Sequence, residues 1–218
     1  MPCTVQAPRR GQRLKMLWVE CLPAELRQVW SLQQERQRLG AALPAAPATD
    51  WQVLRNPTLA ELVTALQDGR PQLVHFAGLD SHQGLRELRT AFGETALVDL
   101  GPTGRPDKPA SPSSASPGTT PTDTGTAPET TRLVDAVMAD RRLMVDGVLL
   151  RSEQGYPRLV RAMELAEAMG SSGHTAFLVT LNLWNTAARV APLLVAQGAT
   201  AAAVGFQDAF DDALAEFL

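Results

Sequence analysis

Ala176-Phe-Leu-Val-Thr-Leu181 is the stretch that decides the fold. It carries no charge and no turn former, it is too short for a self-supporting helix, and its β-branched and aromatic residues suit extended backbone. It reads as a strand buried on both faces, and such strands belong to mostly parallel sheets with helices on either side. Leu14-Lys-Met-Leu-Trp-Val19, Trp51-Gln-Val-Leu54, Gln72-Leu-Val-His-Phe-Ala77 and Ala201–Phe206 repeat the pattern. Between these runs, apolar periodicity predicts helices over 24–40, from Thr58 to Gly69, over 133–139, 158–169 and 187–197, with a last one beginning near Asp208. Thr58 and Glu61 have the spacing of a capping box, and Asp146-Gly147 is a hairpin turn signal inside 143–150. Strand and helix in alternation predict an α/β fold.

Working outward, composition separates what folds from what does not. The 218 residues are 44% hydrophobic, enough for a substantial core. Between Gly101 and Thr131, however, there are seven Pro, four Gly, four Ser and eight Thr, and no Val, Leu, Met or aromatic residue. That stretch cannot bury enough apolar surface to offset its ordering entropy, so it is expected to be a disordered insertion. Residues 1–218 are then read as one domain interrupted once, at 101–131. The net charge of −3 divides as +1 over 1–100, −1 over 101–131 and −3 over 132–218. No half carries the basic excess of a nucleic-acid binder. No apolar run is long enough to cross a membrane. The Arg9, Arg10, Arg13 cluster precedes too short an apolar run for a signal peptide. With two Lys, eighteen Arg and no Ile, the chain looks shaped by a GC-rich genome. Cys3 and Cys21 make neither a disulfide framework nor a metal-ligand spacing, so a reducing cytoplasm is the expected compartment. Gly101-Pro-Thr-Gly104 lacks the spacing and the Lys of a phosphate loop. No cofactor and no metal are expected.

In open parallel sheets, ligands sit beyond the carboxyl ends of the strands. The residues of interest are therefore those at Glu20–Pro23, Gly78–Gly84, Asn182–Thr186 and Gln207–Asp212. Within the strand, His75 reads as a satisfied core histidine. Asp80-Ser81-His82 reads as a polar loop beside the site, since members of a catalytic triad converge from distant segments and not from adjacent positions. His174 precedes its strand and is expected at the opposite edge of the sheet, on the surface. Cys21 follows the first strand and could face the same crevice, but free cysteines are commonly buried and inert unless a nearby base or cation lowers their pKa. Asp208, Asp211, Asp212 and Glu216 suit the positive start of a final helix.

Two of the post-strand segments carry a resemblance. Leu73-Val-His-Phe-Ala-Gly-Leu-Asp80 resembles the histidine motif of CHAT domains, cysteine peptidases of the clan that includes caspases and separase. Leu178-Val-Thr-Leu-Asn-Leu-Trp-Asn-Thr-Ala187 resembles their cysteine motif, and Leu193–Phe206, with Gly198 and Gly205, resembles the helix and strand that follow it. The run Lys15–Leu39 and the helix at Pro57-Thr58 match the family's layout. The resemblance spans most of the foldable chain and implies a caspase-like three-layer sandwich. The departures fall on the chemistry. Where the family has its general-base histidine stands Leu79, with Asp80 in place of the following Gly. Where it has its nucleophilic cysteine stands Trp184.

Neither an aliphatic chain nor an indole can attack a carbonyl or shuttle a proton. Catalytic residues that act as a unit lose several powers of ten in rate when one is removed. The resemblance therefore implies a catalytically inactive pseudo-peptidase, a protein-interaction or regulatory module of a bacterial signalling or defence system. Its partner would be a protein, such as an active CHAT peptidase or a repeat protein, with a homo-oligomer also open. Trp184 either plugs a dead cleft or forms a recognition platform. The candidate crevice comprises Cys21, His75, Gly78, Asp80, His82, Asn182, Trp184, Asn185 and Asp208. The alternative is a cysteine hydrolase that uses Cys21 as a relocated nucleophile, with His75 or His82 as its base.

Overall fold

The computed structural model describes residues 13–42, 49–101, 131–184, 186 and 188–206. Its centre is a five-stranded parallel sheet. The strands are β1 (Lys15–Cys21), β2 (Asp50–Arg55), β3 (Leu73–Gly78), β8 (Ala176–Asn182) and β9 (Thr200–Gly205), in the order β2-β1-β3-β8-β9. The α/β architecture and the parallel sheet expected from the sequence are both present. Helix α1 (Gln33–Ala42) lies on one face; α2 (Leu59–Gly69), α5 (Ala162–Ser171) and α6 (Ala191–Ala196) pack on the other. The result is a three-layer sandwich.

The pleat sorts each strand between two cores. Leu17, Val19 and Cys21 of β1, with Val74 and Phe76 of β3, enter the large core under α2, α5 and α6. Met16, Trp18 and Ala77 enter the smaller core under α1, where Leu39, Trp51 and Val53 join them. Because both faces are covered, Met16 through Val19 are all buried, which is why these strands read as unbroken apolar runs. On the α1 side, β8 and β9 are less protected: Val204 is 59% exposed.

A second, four-stranded sheet in the order β5-β4-β7-β6 was not foreseen. It comprises β4 (Leu97–Asp99), β5 (Thr131–Leu133), β6 (Gly147–Arg151) and β7 (Pro157–Arg161). With α3 (Ser81–Phe92) and α4 (Val134–Ala139), it encloses a third core containing Leu22, Leu26, Leu79, Leu85, Leu88, Leu149 and Leu159. An isolated bridge between Asp80 and Val148 ties this unit to the end of β3.

Several boundaries move from their expected places, each for a local reason. The helix expected over 24–40 breaks into a 3-10 turn at Ala24–Leu26 and the separate α1. Its apolar residues serve different cores: Leu26 and Trp30 pack into the third, Leu39 against the sheet. The first residues of 158–169 form β7, paired antiparallel with β6, and α5 starts only at Ala162. The hairpin between them turns at Ser152–Tyr156, where Ser152 N donates to Tyr156 O at 2.8 Å and Gly155 has φ +91°. Gly147, expected in a turn, instead opens β6, where a Cβ would stand 2.0 Å from Val160 O. Asp80-Ser81-His82 is not a loop. Asp80 is the N-cap of α3, its carboxylate accepting from Gln83 N at 2.7 Å. The helix expected over 187–197 is confined to α6. By contrast, α2 carries the expected capping box, with Glu61 N donating to Thr58 Oγ1 and Thr58 N to Glu61 Oε2. The final helix near Asp208 and nearly all of the 101–131 insertion lie outside the described residues.

Candidate functional site

The strands' carboxyl ends lead to two separate polar clusters, because the pleat sends neighbouring residues to opposite faces. The first lies on the α1 face. His75 Nδ1 is 2.6 Å from Thr180 Oγ1, and its Nε2 is 2.9 Å from Glu35 Oε1. Asn182 Nδ2 donates to the same Glu35 oxygen. The imidazole also stacks on the Trp18 indole, with ring centroids 4.6 Å apart. With Nε2–H donating to the carboxylate, Nδ1 is left to accept from the threonine hydroxyl. Every polar atom of the ring is then used. His75 is a satisfied, buried histidine, and with Asn182 it fastens α1 to the sheet.

The second cluster lies beyond the carboxyl end of β8, where the turn after that strand meets α3 and the segment before β6. Trp184, in the turn after β8, is half-buried, and the guanidinium of Arg86 sits over its ring, 4.8 Å from the centroid. His82, on the first turn of α3, donates from Nε2 to Asp146 Oδ1 at 2.9 Å. Arg189 Nη1 donates to the same oxygen at 2.5 Å. Arg86 Nε reaches His82 O at 3.5 Å. Five side chains from four segments thus form one connected surface. Partial burial acts to raise the Asp146 pKa, but the hydrogen bonds from Arg189 and His82 outweigh it and hold the carboxyl below its ordinary range. The neighbouring Asp80 behaves oppositely: burial pushes its pKa up, against the hydrogen bond from Gln83 N and the nearby cations.

The remaining expected residues do other work. Leu79 is 2% exposed and belongs to the third core, not to the crevice surface. Gly78 has φ +127°, and a Cβ there would lie 2.5 Å from Cys21 O, so the glycine lets β3 end tightly against β1. Cys21 is fully buried in the large core, and the lack of water around it pushes the thiol pKa well above its ordinary value. Its side chain leaves the sheet on the face opposite His75, whose ring lies with Trp18 and Glu35 on the α1 side. His82 is engaged with Asp146. A Cys21–His75 pair is therefore ruled out by the pleat, and no described histidine is hydrogen-bonded to the thiol. His174 lies at the sheet's opposite edge as expected, but it is half-buried, with Nε2 donating to Pro71 O at 2.7 Å. Asn185 and Asp208 lie outside the described residues.

Glu35, Thr180, Arg86, Asp146 and Arg189 had drawn no attention as site residues. One signal was available for α3: Asp80 precedes Gln83 by three residues, ahead of Leu85 and Leu88. Among the described residues no group of His, Cys, Asp and Glu has the arrangement of a metal site, and no helix is long and apolar enough to cross a membrane.

No protein-family model matches the chain, and no curated protein matches it. What the site does has to be read from its own geometry.

Proposed function

We propose that this chain is a CHAT-like pseudo-peptidase, catalytically inactive, that works as a protein-interaction or regulatory module in the cytoplasm of a bacterium. One observation carries the reading: the position where the CHAT resemblance puts the nucleophile holds Trp184, with the guanidinium of Arg86 over its ring. Around it stand groups suited to recognition: an aromatic ring, two guanidiniums, an imidazole and one carboxylate. The position of the general base holds Leu79, which is sealed in a core. Cys21 is buried and distant in role from every described histidine, so nothing favours the hydrolase alternative. An active CHAT peptidase, a repeat protein or a second copy of the chain are the partner classes that the resemblance suggests.

Two measurements test the reading. Site-resolved alkylation of the native protein by iodoacetamide should leave Cys21 unmodified until the chain is unfolded. Short peptides selected by display on the immobilised chain should bind the wild type and lose binding in Trp184→Ala. Rapid native labelling of Cys21 together with peptide hydrolysis, or selected peptides indifferent to Trp184→Ala, would refute it.

A further inference from the structure

One guanidinium of the cluster, that of Arg86, stands outside its ion pairs. Asp146 is the carboxylate in the chain of contacts that runs from Trp184 through Arg86 and His82 to Arg189, and one of its oxygens already receives both His82 and Arg189. Asp80, beside it, is buried and accepts from the backbone of α3. Arg86 is exposed and makes no ion pair among the described residues. Beyond the Nε–H that reaches His82 O, its guanidinium has further N–H donors suited to a planar acceptor. The indole N–H of Trp184 is buried and has no hydrogen-bond acceptor among the described residues. An orphan donor of that kind is destabilising unless something else supplies the acceptor.

The geometry points to an acidic peptide as the occupant of this surface: a partner segment with an Asp or Glu whose carboxylate is held by the edge of the Arg86 guanidinium beside Trp184. Charge complementarity is what selects it. A carboxylate only accepts, which matches the exposed guanidinium of Arg86 and the unpartnered indole N–H of Trp184. A basic segment would meet the positive charges of Arg86 and Arg189, while one Asp146 oxygen already receives His82 and Arg189. The inference rests on the interaction-module reading and names the chemistry of its partner.

Display libraries of short random peptides with a fixed central Glu, Gln or Lys, selected on the full chain, test it. Glu-centred peptides should dominate, and their affinity should fall at high salt. Arg86→Gln, at an exposed position, should weaken them about tenfold, the scale of a close charge pair at an interface, with circular dichroism confirming that the variant is folded. Arg86→Glu should turn selection toward the Lys library. Dominance of Gln- or Lys-centred peptides on the wild type, or Glu-centred binders unaffected by Arg86→Gln, would overturn the acidic partner; if those binders still need Trp184, the interaction module stands. No binders from any library would overturn both.

Discussion

Replacing Glu35 by Ala tests whether one carboxylate fastens α1 to the sheet. Apart from Leu39, the sequence of α1, Gln-Gln-Glu-Arg-Gln-Arg-Leu-Gly-Ala-Ala, gives it little apolar surface to bury. Its hold on the sheet therefore depends on Glu35, with an Arg36–Glu20 ion pair at 3.7 Å beside it. Glu35→Ala removes the acceptor from two donors, His75 Nε2 and Asn182 Nδ2. A buried donor left unpaired costs about 1–3 kcal/mol. The Glu35 side chain is 26% exposed, so water can enter and recover part of that loss. His75 can also exchange tautomers and donate to Thr180 instead. A net loss of about 2–3 kcal/mol follows, near the lower end for two orphans. For a chain of this size that lowers Tm by roughly 4–12 °C, taking 2–4 °C per kcal/mol. Glu35→Gln keeps an acceptor, loses only the charge assistance, and should fall between the two. Thermal unfolding followed by circular dichroism reads the shift, and hydrogen exchange should show α1 amides exchanging faster while α2 is unchanged. A Glu35→Ala variant that melts with the wild type, with α1 still protected, would refute the latch.

Other positions give independent checks. Leu79→Ala should cost about 2–5 kcal/mol by opening a cavity in the third core, whereas a Leu79 in an open crevice would tolerate the change; denaturant titration separates the two. Gly78→Ala should destabilise, since φ +127° is strained for any side chain and the new Cβ meets Cys21 O at 2.5 Å; an unchanged Tm would show that the strands can part there at no cost. Asp80 has its folded-state pKa raised by burial, so the unfolded chain ionises first as pH rises. Its contribution is fully present below the unfolded pKa and is lost as pH climbs through the folded one. Asp80→Asn, which caps a helix about as well, should therefore raise Tm at neutral pH and flatten the acid-to-neutral slope; a Tm–pH curve parallel to the wild type would contradict this.

The strands of the central sheet were legible because burial on both faces leaves no polar residue to interrupt them, as in Met16–Val19. The capping box of α2 was legible because its two partners lie three residues apart. What escaped was of two kinds. Arg158-Leu-Val160 fits both a strand and the first turn of a helix, and only its pairing with Val148–Leu150 makes it β7. Asp80-Ser81-His82 read as a loop, yet it opens α3, in which Gly84 makes room for Leu149, whose Cδ1 would lie 2.5 Å from a Cβ. The site residues were hidden by distance along the chain. Glu35 and His75 are 40 positions apart, and His75 and Thr180 are 105 apart. No local pattern can announce such partners; they exist only once the strand order brings β8 beside β3.

The packing also bears on the proposed pseudo-peptidase reading: under it, the changes Leu79→His and Trp184→Cys would not produce a peptidase. Leu79 packs among Leu22, Leu26, Leu85 and Leu149, so an imidazole there would be buried in hydrocarbon, unpaired and held neutral. It would not face the thiol, because its side chain is committed to the third core while position 184 lies under Arg86. Arg86 would help keep a thiolate ionised, yet the imidazole at position 79 would be too buried to serve the leaving group. On the proposed reading, inactivity would lie in the packing around positions 79 and 184 and not only in two side chains. A double variant that gained peptidase activity would show the third core to be far more yielding than its buried leucines indicate.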